Sequence, residues 1–167
     1  MQFNVAHQLV QVVGATRLWK VEGKMPSPQG DGDASLSGEG DFLRTDRGIL
    51  VRGTLQVAVT LQCSRCLEMF DTAVSFSIEE EFYARRNLTS GAALPPPDEL
   101  EAFMIGEDNI LDLGEAIRQY ALMALPMNPV CREDCAGLCS VCGTNLNHGS
   151  CQCLPLATRR SLWHNKL

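Results

Sequence analysis

From Ile49 to Gln62 apolar and polar residues alternate. Ile49, Val51, Leu55, Val57, Val59 and Leu61 fall on one side, and Arg52, Thr54, Gln56, Thr60 and Gln62 on the other. A period of two is the signature of a half-buried strand. Gly53 interrupts the apolar side and marks a place for a β-bulge. A second alternating run covers 73–83, with Val74, Phe76, Ile78 and Phe82 on one side. The short connection predicts an antiparallel hairpin, with "CSRCLEMFD" at its tip. Upstream, 16–23 and 35–46 are weaker strand candidates around a loop, "GKMPSPQGDGDA". Downstream, "RRNLTSGAALPPPDELEA" reads as a long loop with three consecutive prolines.

The best helix candidate is "DLGEAIRQYALMALP", 112–126. Asp112 can cap it, and Glu115 three residues on completes a capping-box pattern. Leu113, Ile117, Tyr120 and Ala124 share one face. Leu122, Met123 and Leu125 make the other side apolar too, so the helix is expected to be largely buried. Pro126 and Pro129 end it and lead the chain to Cys131. The expected fold is α+β: an antiparallel β-rich domain with one buried helix in its C-terminal half and a cysteine-rich, zinc-ribbon-like module. The expected division is a core domain over 1–126, including the hairpin tip, a cysteine module over 127–153 and a tail over 154–167.

Apolar residues make up 45% of the 167-residue chain, enough for a core without help from cross-links. The opening "MQFNVAHQLVQVVG" has no basic region, and His7, Gln8 and Gln11 interrupt its apolar residues, unlike a secretory leader. No apolar run approaches a membrane span. A cytoplasmic protein without membrane contact is expected. The net charge of −6 is unevenly spread. Residues 68–115 hold twelve acidic and two basic side chains, while the segments on either side are slightly basic. Such a chain is a poor candidate for coating a long nucleic-acid backbone. Its acidic middle suits a basic partner, or is simply a solvated face.

Eight cysteines change the picture most. Cys63 and Cys66 lie at the hairpin tip, and "VCREDCAGLCSVCGTNLNHGSCQC" holds Cys131, Cys135, Cys139, Cys142, Cys151 and Cys153. In a reducing compartment, clustered cysteines more often hold metal than form disulfides. Zinc takes four thiolates in a tetrahedron, and short spacings let one turn supply two. Eight ligands make two sites, one zinc ion each. The favoured grouping is Cys63, Cys66, Cys131 and Cys135 for one, and Cys139, Cys142, Cys151 and Cys153 for the other. A single site of Cys63, Cys66, Cys139 and Cys142 is geometrically as reasonable and leaves four thiols free. His148 could replace Cys151 or Cys153. Gly143, just past Cys142, lets that turn aim amides at the thiolates, whereas Leu67 holds the matching place after Cys66. A disulfide framework and a redox-active pair at Cys63 and Cys66 are rivals. The first conflicts with the absent leader, the second with a hairpin setting where a helix is usual.

Nucleotide-binding glycine loops, a nucleophile elbow and zinc-hydrolase motifs are all missing. His7, His148 and His164 stand far apart, and "EEE" at 79–81 reads as acidic surface. The chain is not expected to be an enzyme or to take a small-molecule substrate.

At "CSRCLEMF", "DLGEAIRQYALMALPMNPVCREDC" and "GLCSVCGTNLNHGSCQC" the sequence resembles the YceD family, bacterial and plastid proteins linked to accumulation of 23S rRNA. The late turn departs in having Ser140 where proline is expected. His148 stands where an acidic residue is usual, and the tail matches loosely. The resemblance implies a non-catalytic ribosome-biogenesis factor, zinc-stabilised on the cysteine reading, that touches large-subunit rRNA locally. Candidate contacts are Arg65, Arg132, Arg159, Arg160, Trp163 and Lys166. The alternatives are an acidic chaperone or adaptor for a basic ribosomal protein, with the acidic middle as docking surface, and a redox-sensitive zinc thiol switch.

Overall fold

The computed structural model describes residues 1–153 apart from 31, 96 and 98–101. Its elements, in chain order, are β1 (Gln2–Asn4), α1 (Ala6–Leu9), β2 (Thr16–Pro26), β3 (Asp33–Arg44), β4 (Gly48–Gln62), β5 (Met69–Tyr83), β6 (Phe103–Met104), β7 (Ile110–Asp112) and α2 (Gly114–Ala124). The main sheet has the order β2-β3-β4-β5-β6, and β1 pairs with β7 in a small second sheet. β2 to β5 follow one another as a meander, while β6 joins the end of β5 in parallel. The fold is thus mostly antiparallel sheet with few helices.

The chain divides into two compact units. One comprises Met1–Val59 and Ala73–Leu125. The other comprises Thr60–Thr72, the tip of the β4–β5 ribbon, and the described residues from Pro126 on.

In the first unit, the alternation along β4 decides which face is inside. Ile49, Val51, Leu55, Val57 and Val59 are buried, and Arg52, Thr54, Gln56 and Ala58 are exposed. Gly53 is not a bulge. The β3–β4 register runs without interruption from Leu36↔Val57 to Arg44↔Ile49, with Gly40 opposite Gly53. Both glycines instead make room for Trp19, which is paired with Gly40 from β2. A Cβ on Gly53 would lie 2.6 Å from Trp19 Cζ2, and one on Gly40 would lie 2.7 Å from it. The indole stacks on Phe42 at 6.0 Å between centroids. Gly53→Ala is therefore expected to overpack this site and destabilise the protein by ~1–3 kcal/mol, as read from urea unfolding midpoints.

Two other parts of the chain differ from expectation. The Gly- and Pro-rich stretch at 23–34 is not simply a loop, because β2 and β3 stay paired out to Pro26↔Asp33. The ladder continues through Gly23 and Pro26, since β2 lies at the edge of the sheet, where proline costs no ladder bond. Helix α2 is buried on one face only. Ala116, Ile117 and Ala121 are inside, but Leu122 and Met123 are exposed, Met123 by 73%. The helix also starts later than expected. Asp112 belongs to β7 and its Oδ1 accepts the Gly114 N–H at 2.8 Å. Glu115 turns away from any capping box and takes Arg118 and Gln119. Tyr120 fixes the helix to β5, its hydroxyl donating to the Glu79 carbonyl and the Glu80 carboxylate.

Candidate metal centres

The second unit gathers the eight cysteines into two groups. Cys63, Cys66, Cys131 and Cys135 bring their sulfurs within 4.8 Å of one another, and so do Cys139, Cys142, Cys151 and Cys153. In the early group, Cys63 Sγ lies 3.8 Å from Cys135 Sγ, and Cys66 Sγ lies 3.7 Å from Cys131 Sγ. A tetrahedron of four sulfurs, each about 2.3 Å from a central zinc ion, has edges of about 3.8 Å. All eight are free thiols. Each group can hold a metal ion. His148 belongs to neither: its Nε2 is 3.3 Å from a Glu68 carboxylate oxygen.

Two turns, one from each group, are built alike. In the first, the Cys63 N–H donates to the Glu68 carbonyl, the Leu67 N–H donates to the Cys63 carbonyl at 3.0 Å, and the Arg65 N–H points at Cys63 Sγ at 3.4 Å. In the second, Cys139 N–H bonds Thr144, Gly143 N–H bonds Cys139 at 2.9 Å, and Val141 N–H points at Cys139 Sγ at 3.5 Å. The closing residue takes a left-handed φ in both, +61° at Leu67 and +75° at Gly143. Leu67 thus adopts the backbone its glycine counterpart adopts freely, at a cost of roughly 1–2 kcal/mol. The network that ties the tip to the later segment offsets that cost.

Electrostatics follow the same plan in both groups. Burial would raise the Cys63 thiol, but amides of Cys66, Cys131 and Arg65 bring it down to about 6. Thr144, through its hydroxyl and then its amide, brings Cys142 down to about 6. Burial and the neighbouring thiols push Cys131 up to about 12, and the nearby Cys142 does the same for Cys153. Amide and hydroxyl donors stabilise the first thiolates, and their charge then opposes ionisation of the rest. A divalent cation at the centre would let four such close sulfurs ionise together.

The groups differ in depth. Cys63, Cys66 and Cys135 are buried, with Phe70, Val130 and Cys131 packed against them. Cys142 is exposed, and Cys139, Cys151 and Cys153 are half-buried. Asn147 ties the late loop to the early group, and the cysteine spacings did not reveal it. Asn147 belongs to the loop that the late cysteines close, yet its Nδ2 donates to Cys135 Sγ at 3.3 Å. Its Oδ1 accepts from the Ala136 N–H and from Arg132 Nη2, each at 2.8 Å. Asn145 steadies it by accepting from both its backbone N–H and its side chain. Only the amides crowded into "GTNLNHG" hinted at such a role.

Arg65 and Arg132 both serve within this unit. Arg65 Nη1 donates to the carbonyls of Glu133 and Cys135, at 3.1 and 3.2 Å. The Arg65 carbonyl accepts the Leu138 N–H, and Gly137, at φ +71°, leaves room for that approach. Arg132 reaches Asn147 and the Asp134 carboxylate. Arg159, Arg160, Trp163 and Lys166 lie outside the described residues.

The chain matches, over residues 51–160, the family described as the large ribosomal RNA subunit accumulation protein YceD. An uncharacterized protein of Mycobacterium bovis is 33% identical over 99 residues, 59% of this chain and 45% of its own length. One from Mycobacterium leprae is 32% identical over 101 residues, 59% of this chain and 43% of its own. The chloroplastic large ribosomal RNA subunit accumulation protein YCED homolog 1 of Zea mays is 26% identical over 138 residues, 69% of this chain and 47% of its own. The chain thus spans a little under half the length of these relatives. No solved structure matches it. The matched segment begins in β4 and takes in both cysteine groups and the helix between the two halves of the early one, and on that extent the chain belongs to the YceD family.

Proposed function

We propose that this chain is a non-catalytic, zinc-stabilised ribosome-biogenesis factor that promotes accumulation of 23S rRNA and assembly of the large ribosomal subunit in the cytoplasm. The observation that carries this reading is the pair of four-thiol groups inside the segment matched to a family named for large-subunit rRNA accumulation. Four thiolates are the donor set that structural zinc prefers, and they fill the tetrahedron. A catalytic zinc keeps one position for water or substrate and usually takes histidine or carboxylate. Cys63, Cys66, Cys131 and Cys135 would hold one ion, and Cys139, Cys142, Cys151 and Cys153 the other. The ions would brace the turns and do no chemistry. The turn at Cys139–Thr144 and the four thiols gathered around it support reading 127–153 as a zinc-ribbon-like module. Among the described residues no helix is long and apolar enough to cross a membrane.

In this role Arg65 and Arg132 would meet RNA from the braced turns, where both are exposed although some of their donors are used internally. Arg159, Arg160, Trp163 and Lys166 would add contacts from the tail. Purified, metal-loaded protein is expected to bind a large-subunit rRNA fragment with no ribosomal protein present. Binding should weaken with salt by a shallow slope, about 0.7–0.9 per phosphate contact.

The acidic excess of 68–115 favours a second reading, an adaptor for a basic ribosomal protein. If the fragment does not bind, a basic large-subunit protein does, and neutralising acids in 79–108 abolishes that binding, the adaptor reading replaces the first.

A further inference from the structure

β2 is the terminal strand of the main sheet and spans 11 residues. One side pairs with β3 along its whole length. Among the described residues, no group outside that ladder bonds to its main chain. A row of free N–H and C=O groups of this length is a template for another strand. Its outward side chains are in the open: Leu18 is 84% exposed, and Lys20, Glu22 and Lys24 are exposed too.

The sequence of β2, "TRLWKVEGKMP", selects its own partner. If an antiparallel second copy is centred on Val21, Lys20 faces Glu22 of the other copy, and Glu22 faces Lys20. The same register sets Val21 against Val21 and Trp19 against Gly23. Moving the centre to Lys20 sets that lysine against itself. Moving it to Glu22 sets two glutamates together and Lys20 against Lys24. Odd shifts would place the inward face opposite the outward one. Opposite charges directly across a strand pair stabilise it and like charges do the reverse. Centring on Gly23 also sets Glu22 against Lys24 but pairs only residues 20–26, so the register about Val21, which pairs the whole of 16–26, is the favoured one.

We infer that β2 is a self-docking edge: a second copy of this chain adds to it antiparallel about a two-fold axis at Val21, joining two sheets into one. The contact is isologous, so it closes at a dimer. It uses the first unit alone and is independent of the metal centres and of the proposed ribosomal role.

The test is light scattering on eluting protein across a concentration series, using the metal-loaded chain. The wild type is expected to rise to twice the single-chain mass. Glu22→Lys sets a second lysine opposite Lys20 of the other copy and should hold the mass at one chain. Its neighbour on β3 is Ser37, so no new clash arises within the chain. Lys20→Glu should do the same, with Glu39 across from it as an added repulsion. Mixing the two variants restores both opposite-charge pairs and should return the doubled mass. Circular dichroism checks that each variant is folded. A wild type that stays single throughout overturns the proposal. So does a Glu22→Lys chain that pairs as well as wild type, or a mixture of folded variants that does not pair.

Discussion

Replacing Cys63 by serine is expected to remove the early metal centre and unfold the ribbon tip together with the segment it is tied to. Cys63 is fully buried and its sulfur lies 3.8 Å from that of Cys135, far along the chain. Structural zinc contributes on the order of 10 kcal/mol in small domains, which rivals the whole stability of a typical fold. Among the described residues, the buried cluster of the second unit is the cysteines themselves, Cys63, Cys66 and Cys135, with Phe70, Val130 and Cys131 against them. Amide protection should collapse over 60–72 and 126–136, while the sheet core around Phe42 and Val51 exchanges as slowly as before. A strong chelator should reproduce the pattern in the unmodified chain. Acid should do so as well, because protons compete with the metal for thiolates such as Cys63 and Cys142, both near 6 when metal-free. Affinity therefore falls as pH falls. Elemental analysis should give two zinc ions per chain for the native protein and at most one for Cys63→Ser. A metal-free chain with undiminished protection at 60–72 would refute the zinc reading.

The second large effect falls on Asn147. Its amide donates to a sulfur of the early centre, while the late cysteines shape the loop that carries it. Partners beyond the direct ligands commonly tune metal affinity by about 10–100-fold. Asn147→Ala should weaken the early site by that order in chelator competition, with two ions still bound at saturation. Cys151→Ser should disorder mainly 139–153, yet also weaken the early site through the same residue. The effects should not add: Asn147→Ala in the Cys151→Ser background should change early-site affinity little. Asn147→Asp keeps the shape but replaces the donor with a carboxylate beside a thiolate, and should be at least as damaging as alanine. Early-site affinity unaffected by Cys151→Ser would make the two centres independent.

Much of this architecture was legible because local rules and tertiary demands agree. The alternation along β4 and β5 reports a sheet with one wet face; burial follows it residue by residue from Val51 to Gln62 of β4 and more loosely in β5, where Ile78 and Phe82 are buried and Val74 and Phe76 half-buried. The cysteine spacings gave both turns, since two ligands from one turn need a short gap. Where expectations missed, a distant partner was the cause. Gly53 looked like a bulge because its sequence says only that a side chain is missing; Trp19, two strands away, is what fills the space. Leu122 and Met123 looked buried because apolar type implies burial only where a second surface is present. Leu67 looked like a poor turn residue and still holds the glycine conformation. Arg65 and Arg132 read as candidate RNA contacts, and nothing near them in the sequence showed that each also bonds within the chain, to carbonyls and to an amide oxygen.

By itself the sequence determined the strands, the ribbon with a thiol pair at its end, and a donor set suited to a soft divalent cation, because each depends on neighbours a few residues apart. Only the tertiary structure decided which sulfurs come together, that Asn147 ties the late loop to the early group, and that β2 is paired on one side only among the described residues. These depend on contacts between residues distant along the chain, and spacing along the chain does not encode them.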